Sequence, residues 1–323
     1  MAIVNVTNLK KTYGELVAVA DISFHIEQGE IFGFLGPNGA GKTSTINMMI
    51  GLSRPTGGHI VIDGMDAVKD IKKVQSIIGV IPDENNLYDE MDGFDNLCFC
   101  GSLYGISKKE REKRAMELLE QFHLAKAGKR PFKTYSKGMK RKLTIAAGII
   151  HNPKILFLDE PTTGIDVESA RQIRELILDL KKQGKTIFMT THYIEEAERI
   201  CDRIAFIANG KILKIGTVME LLENPEREHK IQLQLDRSIK EMKEMLEKNL
   251  ANCRVEIPGE NTCLIISEER LALSPILEQL NHIGISVYEA KEIKPSLEDV
   301  FIQITGIGAS KQKKGGRKGG EVA

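Results

Sequence analysis

Short, unbroken runs of apolar residues mark the chain between residues 31 and 190. They lie at Ile31–Leu35, 77–81 and 155–158, and residues 187–190 form a further predicted strand, which ends in a threonine. Such runs are typical of parallel strands that are covered on both faces, so we predict strands of one parallel sheet. Residues 44–52 and 140–150 are predicted to be helical. Because buried strands and helices both occur in this region, we assign it to the α/β class.

The pattern changes near residue 224. Beyond it we predict a strand at 230–235 and a helix that begins with the capping pair Ser238 and Glu241 and runs toward Asn249. Paired strands follow at 253–257 and 262–266, joined across Pro258 and Gly259. A helix from Ser274 to Gly284 and a last strand at 285–290 complete the segment. This β-α-β-β-α-β order is that of a small ferredoxin-like unit. We therefore predict one domain at residues 1–223 and a small α+β domain at 224–306.

The remaining residues, 307–323, are rich in glycine and lysine. Such a segment is too polar to fold alone, so we predict a disordered, solvated basic tail. A lipid anchor is the alternative, because anionic headgroups attract such charges.

Composition narrows the class of protein. The chain of 323 residues is 41% hydrophobic, which is enough to bury two cores, and its 45 Lys and Arg residues balance 45 Asp and Glu residues. This balance gives no support for a nucleic-acid partner. The 5 cysteines have no C-x-x-C spacing and indicate reduced thiols. No run reaches the ~18 apolar residues that cross a bilayer, and no signal peptide is expected.

Residues 36–43 fit the phosphate-binding pattern G-x-x-x-x-G-K-[ST]. The loop follows a predicted strand and precedes a predicted helix, where its N–H groups and the positive end of the helix dipole bind phosphate. Lys42 is predicted to supply a positive charge and Thr43 a magnesium ligand. An ordinary glycine-rich turn is the alternative, but a chance match would lack the flanking strand and helix.

A pair of acidic residues, Asp159 and Glu160, follows the apolar run 155–158. Ligands of open α/β sheets bind at the carboxyl ends of the strands, so the pair is expected beside the phosphate loop. We predict that Asp159 holds magnesium and that Glu160 polarises the attacking water. Alone, such a pair could equally be a solvated helix entry, but the phosphate loop favours the catalytic interpretation.

Between these elements, residues 135–141 read Tyr-Ser-Lys-Gly-Met-Lys-Arg. They resemble the Leu-Ser-Gly-Gly-Gln signature of ATP-binding-cassette (ABC) ATPases, in the form seen in drug-resistance-type exporters with a separate permease. Residues 164–166 match the family's D-loop, His192 its switch histidine and Tyr13 its adenine-stacking aromatic. The resemblance covers residues 1 to 220 and implies a parallel-sheet core, an antiparallel β subdomain and an α-helical subdomain.

The resemblance also implies a reaction, ATP hydrolysis, and a set of site residues. Glu160 is expected to be the catalytic base, and His192 to contact the γ-phosphate. Mg²⁺ is expected on Thr43, Asp159 and, in the family's glutamine loop, Asp83. ATP is expected to contact Tyr13, Gly36, Pro37, Asn38, Gly39, Ala40, Gly41, Lys42, Thr43, Ser44, Ser136 and Gly138.

One phosphate loop and one signature do not complete a site in this family. The resemblance therefore implies a head-to-tail homodimer, or a pair with another cassette, that closes on ATP and opens after hydrolysis. This cycle is expected to drive an integral-membrane permease. The chain itself is expected to be cytoplasmic, on the inner face of the cell membrane.

Three residues depart from the family pattern. Asp83 places a carboxylate where the family has a glutamine, which adds negative charge near the phosphates. Lys137 and Met139 replace a glycine and a glutamine of the signature, so backbone donors remain while side-chain donors are lost. Catalysis is expected to survive with a changed rate.

Several alternatives stay open at the level of sequence. Phe94, Leu97, Phe99 and Leu103 could pack into the core or form a docking surface for the permease. The C-terminal domain could clamp a dimer, bind a regulatory ligand or shield the permease contact. The alternative function is a soluble ABC ATPase acting on ribosomes or nucleic acid, but the chain lacks the second cassette or long coiled coil of those relatives. The transported substrate is not encoded in this chain.

Overall fold

The structure is a computed structural model that describes residues 1–84, 86–222, 229–238, 243, 253–293 and 296–306. The chain forms two compact units. One comprises Met1–Val218 with the described residues from Ile304, and the other comprises Met219–Gln303. The predicted boundary near residue 224 and the predicted tail at 307–323 lie outside the described residues.

The described residues form strands that we number in chain order: β1 (Ala2–Tyr13), β2 (Leu16–Glu27), β3 (Ile31–Leu35), β4 (Gly57–Ile62), β5 (Met65–Asp66), β6 (Ile78–Ile81), β7 (Ile155–Asp159), β8 (Thr186–Thr191), β9 (Arg203–Ala208), β10 (Lys211–Gly216), β11 (His229–Leu235), β12 (Cys253–Gly259), β13 (Thr262–Ser267) and β14 (Val287–Ile293). The helices are α1 (Lys42–Met49), α2 (Ile71–Ile77), α3 (Gly93–Leu103), α4 (Lys108–Gln121), α5 (Lys137–Ile149), α6 (Val167–Lys182), α7 (Ile194–Ile200), α8 (Val218–Leu222), α9 (Leu273–His282) and α10 (Leu297–Thr305).

The central sheet of the first unit has the strand order β10-β9-β3-β8-β7-β6. Its neighbours pair in parallel, apart from the antiparallel edge strand β10. Every residue of β3, β7 and β8 is buried, as the continuous apolar runs predict. Since these strands are parallel and adjacent, the residues that follow them lie at one edge of the sheet.

A second, antiparallel sheet of order β2-β1-β4-β5 packs in the same unit. Its side chains share one apolar core with β3 and β8. Phe24 of β2 contacts Phe34 of β3 with ring centroids 4.9 Å apart, and Phe34 lies at the same distance from Phe188 of β8. Both ring pairs are tilted, a favourable arrangement for aromatic contacts. This packing fixes the start of the phosphate loop, which follows β3.

Helices α3, α4 and α5 lie between β6 and β7 in the chain. The side chain of Asp92 caps α3, and that of Ser107 caps α4. Buried Asn96 ties the preceding loop to α3, since its Nδ2 donates to the carbonyls of Tyr88 and Asp92 at 3.0 Å. Ser136 caps α5, so the helix begins at Lys137 rather than at the predicted residue 140. Similarly, β6 begins at Ile78 because Ile77 completes α2.

The second unit is an antiparallel sheet of order β12-β13-β11-β14 with its own apolar core. The predicted helix at 239–249 lies outside the described residues, apart from residue 243. The hairpin turn falls at 260–261 instead of Pro258–Gly259, because Gly259 still pairs with Thr262. The last strand begins at Val287 instead of residue 285, because the N–H of Ile285 closes α9 by donating to Leu280.

Candidate active site

The phosphate loop leaves β3 at Leu35 and enters α1 at Lys42. Gly39 and Gly41 both have positive φ, of 81° and 104°. A Cβ at Gly41 would lie 2.5 Å from the carbonyl oxygen of Ala18, so this turn requires glycine. The resulting backbone curls over the start of α1, where N–H groups without helical partners are available to an anion.

The ammonium of Lys42 is enclosed by the loop, and the residue is only 6% exposed. Its Nζ donates to the carbonyl oxygens of Gly36 at 2.8 Å and of Pro37 at 3.3 Å. Nζ also lies 3.1 Å from Oε1 of Glu160. A single positive charge therefore joins the phosphate loop to Glu160, the residue that follows β7.

The carboxylate of Asp159 accepts hydrogen bonds from two hydroxyl groups. Thr43 Oγ1 donates to Oδ2 at 2.9 Å, and Thr190 Oγ1 of β8 donates to Oδ1. These contacts bring the residues that we predict as magnesium ligands, Thr43 and Asp159, side by side. Thr190 was not singled out from the sequence, because a threonine inside an apolar strand is ordinary in composition.

Glu160 and His192 are hydrogen-bonded to each other. His192 Nδ1 lies 2.8 Å from Glu160 Oε2, which also accepts from Thr163 Oγ1 at 3.1 Å. Oε1 of Glu160 is buried and accepts no hydrogen bond from the described residues, but it forms the ion pair with Lys42. The two oxygens of Glu160 thus face different partners, a cation and an imidazole.

Lys42, Asp159 and Glu160 border a cavity of about 720 Å³, whereas His192 is not among the residues that line it. Its lining comprises Tyr13, Leu16, Val17, Ala18, Asn38, Gly39, Ala40, Gly41, Lys42, Thr43, Ser44, Asp83, Asp159, Glu160 and Asn209. Tyr13 ends β1 and is 46% exposed, and the ammonium of Lys11 lies over its ring, 4.6 Å from the centroid. Asn209, between β9 and β10, was missed by sequence reasoning because it belongs to none of the motifs.

Asp83 follows β6 and faces the same cavity as the acidic pair. Burial raises the pKa of this carboxyl group, and the neighbouring charges of Asp159 and Glu160 raise it further, while Arg141 opposes them. Asp83 is therefore close to the predicted metal ligands. Arg141 was also missed by sequence reasoning, since a cation next to the signature looks like a solvated helix residue.

The signature residues lie outside this cavity. Ser136 Oγ accepts from the N–H of Met139 at 3.2 Å, and Gly138 faces Ser169 at the start of α6. Among the described residues that line the cavity, neither Ser136 nor Gly138 is present. Within one chain, the signature therefore does not border the cavity beside the phosphate loop, although both segments are predicted to contact ATP.

A nucleoside triphosphate and Mg²⁺ fit the residues present. The cavity joins an exposed aromatic ring, a glycine-rich loop, an ammonium group and carboxylates. Within the described ranges, no group of three or more His, Cys, Asp or Glu side chains could hold a metal ion alone. The hydroxyl of Thr43 and the carboxylate of Asp159 offer oxygen ligands, and Mg²⁺ commonly completes its shell with phosphates and water.

Comparison with known proteins identifies the family of the chain. Residues 19–163 match the family model described as ABC transporter. The linearmycin resistance ATP-binding protein of Bacillus subtilis is 38% identical over 304 residues, which cover 93% of this chain and 97% of that protein. The Nod factor export ATP-binding protein I of Cupriavidus metallidurans is 33% identical over 94% of this chain and 98% of its own length.

Solved structures show the same fold. A dimeric ATP-binding cassette in a post-hydrolysis state, bound to ADP and Pi, aligns with a TM-score of 0.61 and 27% identity. The match covers 66% of this chain and 98% of that cassette. The predicted fold class and the predicted family are therefore confirmed. This chain belongs to the ABC transporter family, as an ATP-binding and ATP-hydrolysing subunit of the exporter type that its motifs predict.

Proposed function

We propose that the chain binds ATP beside residues 36–44 and that Glu160 is the general base for its hydrolysis. The observation that supports this assignment most strongly is the contact series Lys42–Glu160–His192. In this series the ammonium of Lys42 lies 3.1 Å from one carboxylate oxygen of Glu160, and the imidazole of His192 lies 2.8 Å from the other. The cation, the base and a group that orients the base thus meet at the carboxyl ends of β3, β7 and β8.

Each side chain has a distinct part in the reaction. Oε1 of Glu160 accepts the proton of the attacking water, while the bond from His192 fixes the carboxylate through Oε2. Lys42 stabilises negative charge on the phosphates. Bound Mg²⁺, held by Thr43 and Asp159 with Asp83 nearby, supplies further charge stabilisation. Tyr13 stacks on the adenine, and the loop N–H groups with Ser44 bind the phosphate chain.

We also propose that two copies of the chain, or this chain and another cassette, form the complete site. Ser136 and Gly138 do not line the cavity of their own chain, so the cavity can receive the signature of a second subunit. The first turn of α5, capped by Ser136, offers N–H groups to the phosphates of the opposing subunit. The dimeric relative bound to ADP and Pi supports this arrangement.

A surface on α3 supports a membrane partner. Leu97 is fully buried, whereas Phe99 and Leu103 are exposed on the same face of the helix. Tyr88 packs edge-on against Phe99, with ring centroids 5.1 Å apart, and is itself exposed. These exposed apolar groups, Tyr88, Phe99 and Leu103, form what we call the α3 patch. We propose that it receives the permease, which completes an exporter.

Among the residues that the structure describes, no helix combines the length and apolarity needed to span a bilayer. We propose that the chain acts at the inner face of the cell membrane through its partner. A role on ribosomes or nucleic acid has no observation in its favour.

Co-purification tests the membrane partner. The tagged chain, extracted from membranes in detergent, is expected to carry a multispanning protein with it. Leu103→Glu, at a position 69% exposed, should reduce recovery of that protein, because it places a charge in the α3 patch. Leu52→Glu is the matched control, since Leu52 is 73% exposed outside the patch. Recovery of ribosomes or DNA with no membrane protein contradicts the proposal.

A further inference from the structure

Arg141 is a buried arginine in α5, with only 4% of its surface exposed. A guanidinium carries five N–H donors, and burial is unfavourable unless they are hydrogen-bonded. Here they donate to main-chain carbonyl oxygens. Nε donates to Pro161 at 2.9 Å and Nη2 to Asp159 at 2.7 Å. Nη1 donates to Asp83 at 3.2 Å and also to Pro82.

These four carbonyls belong to two segments of the site. Pro82 and Asp83 directly follow β6, whereas Asp159 ends the adjacent strand β7 and Pro161 lies two residues further on. The guanidinium therefore bridges the exits of two neighbouring parallel strands. One of its acceptors belongs to Asp159 itself, and another to Asp83. Both carboxylates face the cavity that we assign to ATP.

Arg141 also provides a buried positive charge beside several carboxylates. Asp83, Asp159, Glu196 and Glu160 all interact with it electrostatically. No carboxylate among the described residues forms a direct ion pair with it, so its charge is not matched to a single partner. Its planar guanidinium is held by hydrogen bonds to main-chain carbonyl oxygens. The side chain thus combines a fixed geometry with a charge that favours ionised carboxylates.

We propose that Arg141 is a positioning residue of the ATPase, which holds the exits of β6 and β7 so that Asp83, Asp159 and Glu160 converge on the nucleotide. This inference rests on the proposed function of the cavity. It adds a link within the chain, because Arg141 lies on the helix that begins at the Ser136 cap. A shift of α5 must move the guanidinium and hence both strand exits.

Two substitutions remove the geometry and the charge of the guanidinium one at a time. Arg141→Lys keeps the positive charge but replaces the planar fork by a compact ammonium that cannot reach all four carbonyls. Arg141→Gln keeps a planar donor and removes the charge. Arg114→Gln is the control, since Arg114 of α4 also donates to a main-chain carbonyl, that of Ile150 at 3.1 Å, but Ile150 does not line the cavity, whereas Asp83 and Asp159 do.

The measurements use the purified full chain. They are kcat and KM for MgATP, the affinity for a fluorescent ATP analogue without metal, and Mn²⁺ binding by electron paramagnetic resonance with a non-hydrolysable analogue. For both Arg141 variants we expect kcat and Mn²⁺ affinity to fall ~10–100-fold, the usual effect of losing a group that orients a metal ligand. Metal-free analogue binding should stay within about twofold, because Lys42 and its loop do not contact Arg141. The control should behave as wild type.

The inference is overturned if Arg141→Lys keeps wild-type kcat and Mn²⁺ affinity. It is equally overturned if metal-free binding falls as much as kcat in a protein with a lowered melting temperature, since that result indicates a general folding role. Lys42→Ala separates this failure from failure of the proposed function. If Lys42→Ala hydrolyses ATP at the native rate, the cavity itself is wrongly assigned.

Discussion

Replacing Gly138 by alanine places a methyl group in the contact between α5 and α6. The added Cβ would lie 2.2 Å from Oγ of Ser169 and 2.6 Å from its Cβ. A serine hydroxyl can rotate away, but its Cβ is fixed to the backbone. The two helix starts must therefore separate, and with them the signature at Ser136 and the D-loop residue Asp166, which caps α6.

The size of the effect follows from this overlap. Carbon atoms pack at about 3.5–4.0 Å, so the helices must shift locally by roughly 1 Å. Overpacking of this kind costs about 1–3 kcal/mol. Alanine also gains up to about 1 kcal/mol of helix propensity over glycine, so the single substitution gives a smaller net loss. Ser169→Gly removes both overlapping atoms, and a double-mutant cycle isolates the contact.

The assay is urea unfolding of the full chain, followed by far-ultraviolet circular dichroism, for wild type, Gly138→Ala, Ser169→Gly and the double variant. We expect a coupling free energy of about 1–3 kcal/mol, with the second substitution relieving the first. ATPase activity lost in Gly138→Ala should partly return in the double variant. A coupling below about 0.5 kcal/mol would refute the close contact.

Two further predictions concern a buried acid and the adenine contact. Glu196 is 3% exposed, and burial raises the pKa of its carboxyl group above the ordinary value of 4.5. The contribution of Glu196 to the stability of the folded chain is therefore greatest below pH 4.5, and it is lost as the pH rises through the raised pKa. The glutamine of the Glu196→Gln variant cannot ionise. The melting temperature of this variant minus that of wild type should therefore increase from about pH 5 to about pH 8. A difference that stays constant over this range would contradict the prediction. Tyr13→Ala should weaken ATP binding about tenfold through lost stacking, while Tyr13→Phe should bind like wild type. Equal losses in both variants would instead indicate a hydrogen bond of the phenol.

The residues that sequence analysis located best act within a single short segment. The spacing of residues 36–43 defines a loop, and Asp159 directly follows the apolar run 155–158, so the local pattern is sufficient. Arg141 could not be assigned in this way, because its acceptors lie 18 to 59 residues away and its burial depends on the packed fold. The exposure of apolar side chains on α3 also could not be predicted from the local sequence. Phe99 and Leu97 look alike in sequence, and only tertiary packing leaves one exposed and buries the other.

The second sheet shows a different limit. The register between β1 and β2 shifts at several positions, including between Val6 and Leu9. Such bulges interrupt the regular alternation by which a strand face is predicted, so these strands followed only from the family resemblance. In the second unit, Ile285 looked like a strand residue, but its N–H completes the end of α9. Because this N–H is hydrogen-bonded within the helix end, the strand begins two residues later, at Val287.

The most direct test of the account is the rate of ATP hydrolysis by Glu160→Gln in the full chain, measured beside its affinity for ATP. Glutamine keeps the size of the side chain but cannot accept the proton of water. We predict a rate lower by ~100–10,000-fold, the usual contribution of a general base, with ATP binding retained. Hydrolysis at the wild-type rate would show that Glu160 is not the base and would contradict the mechanism assigned to this site.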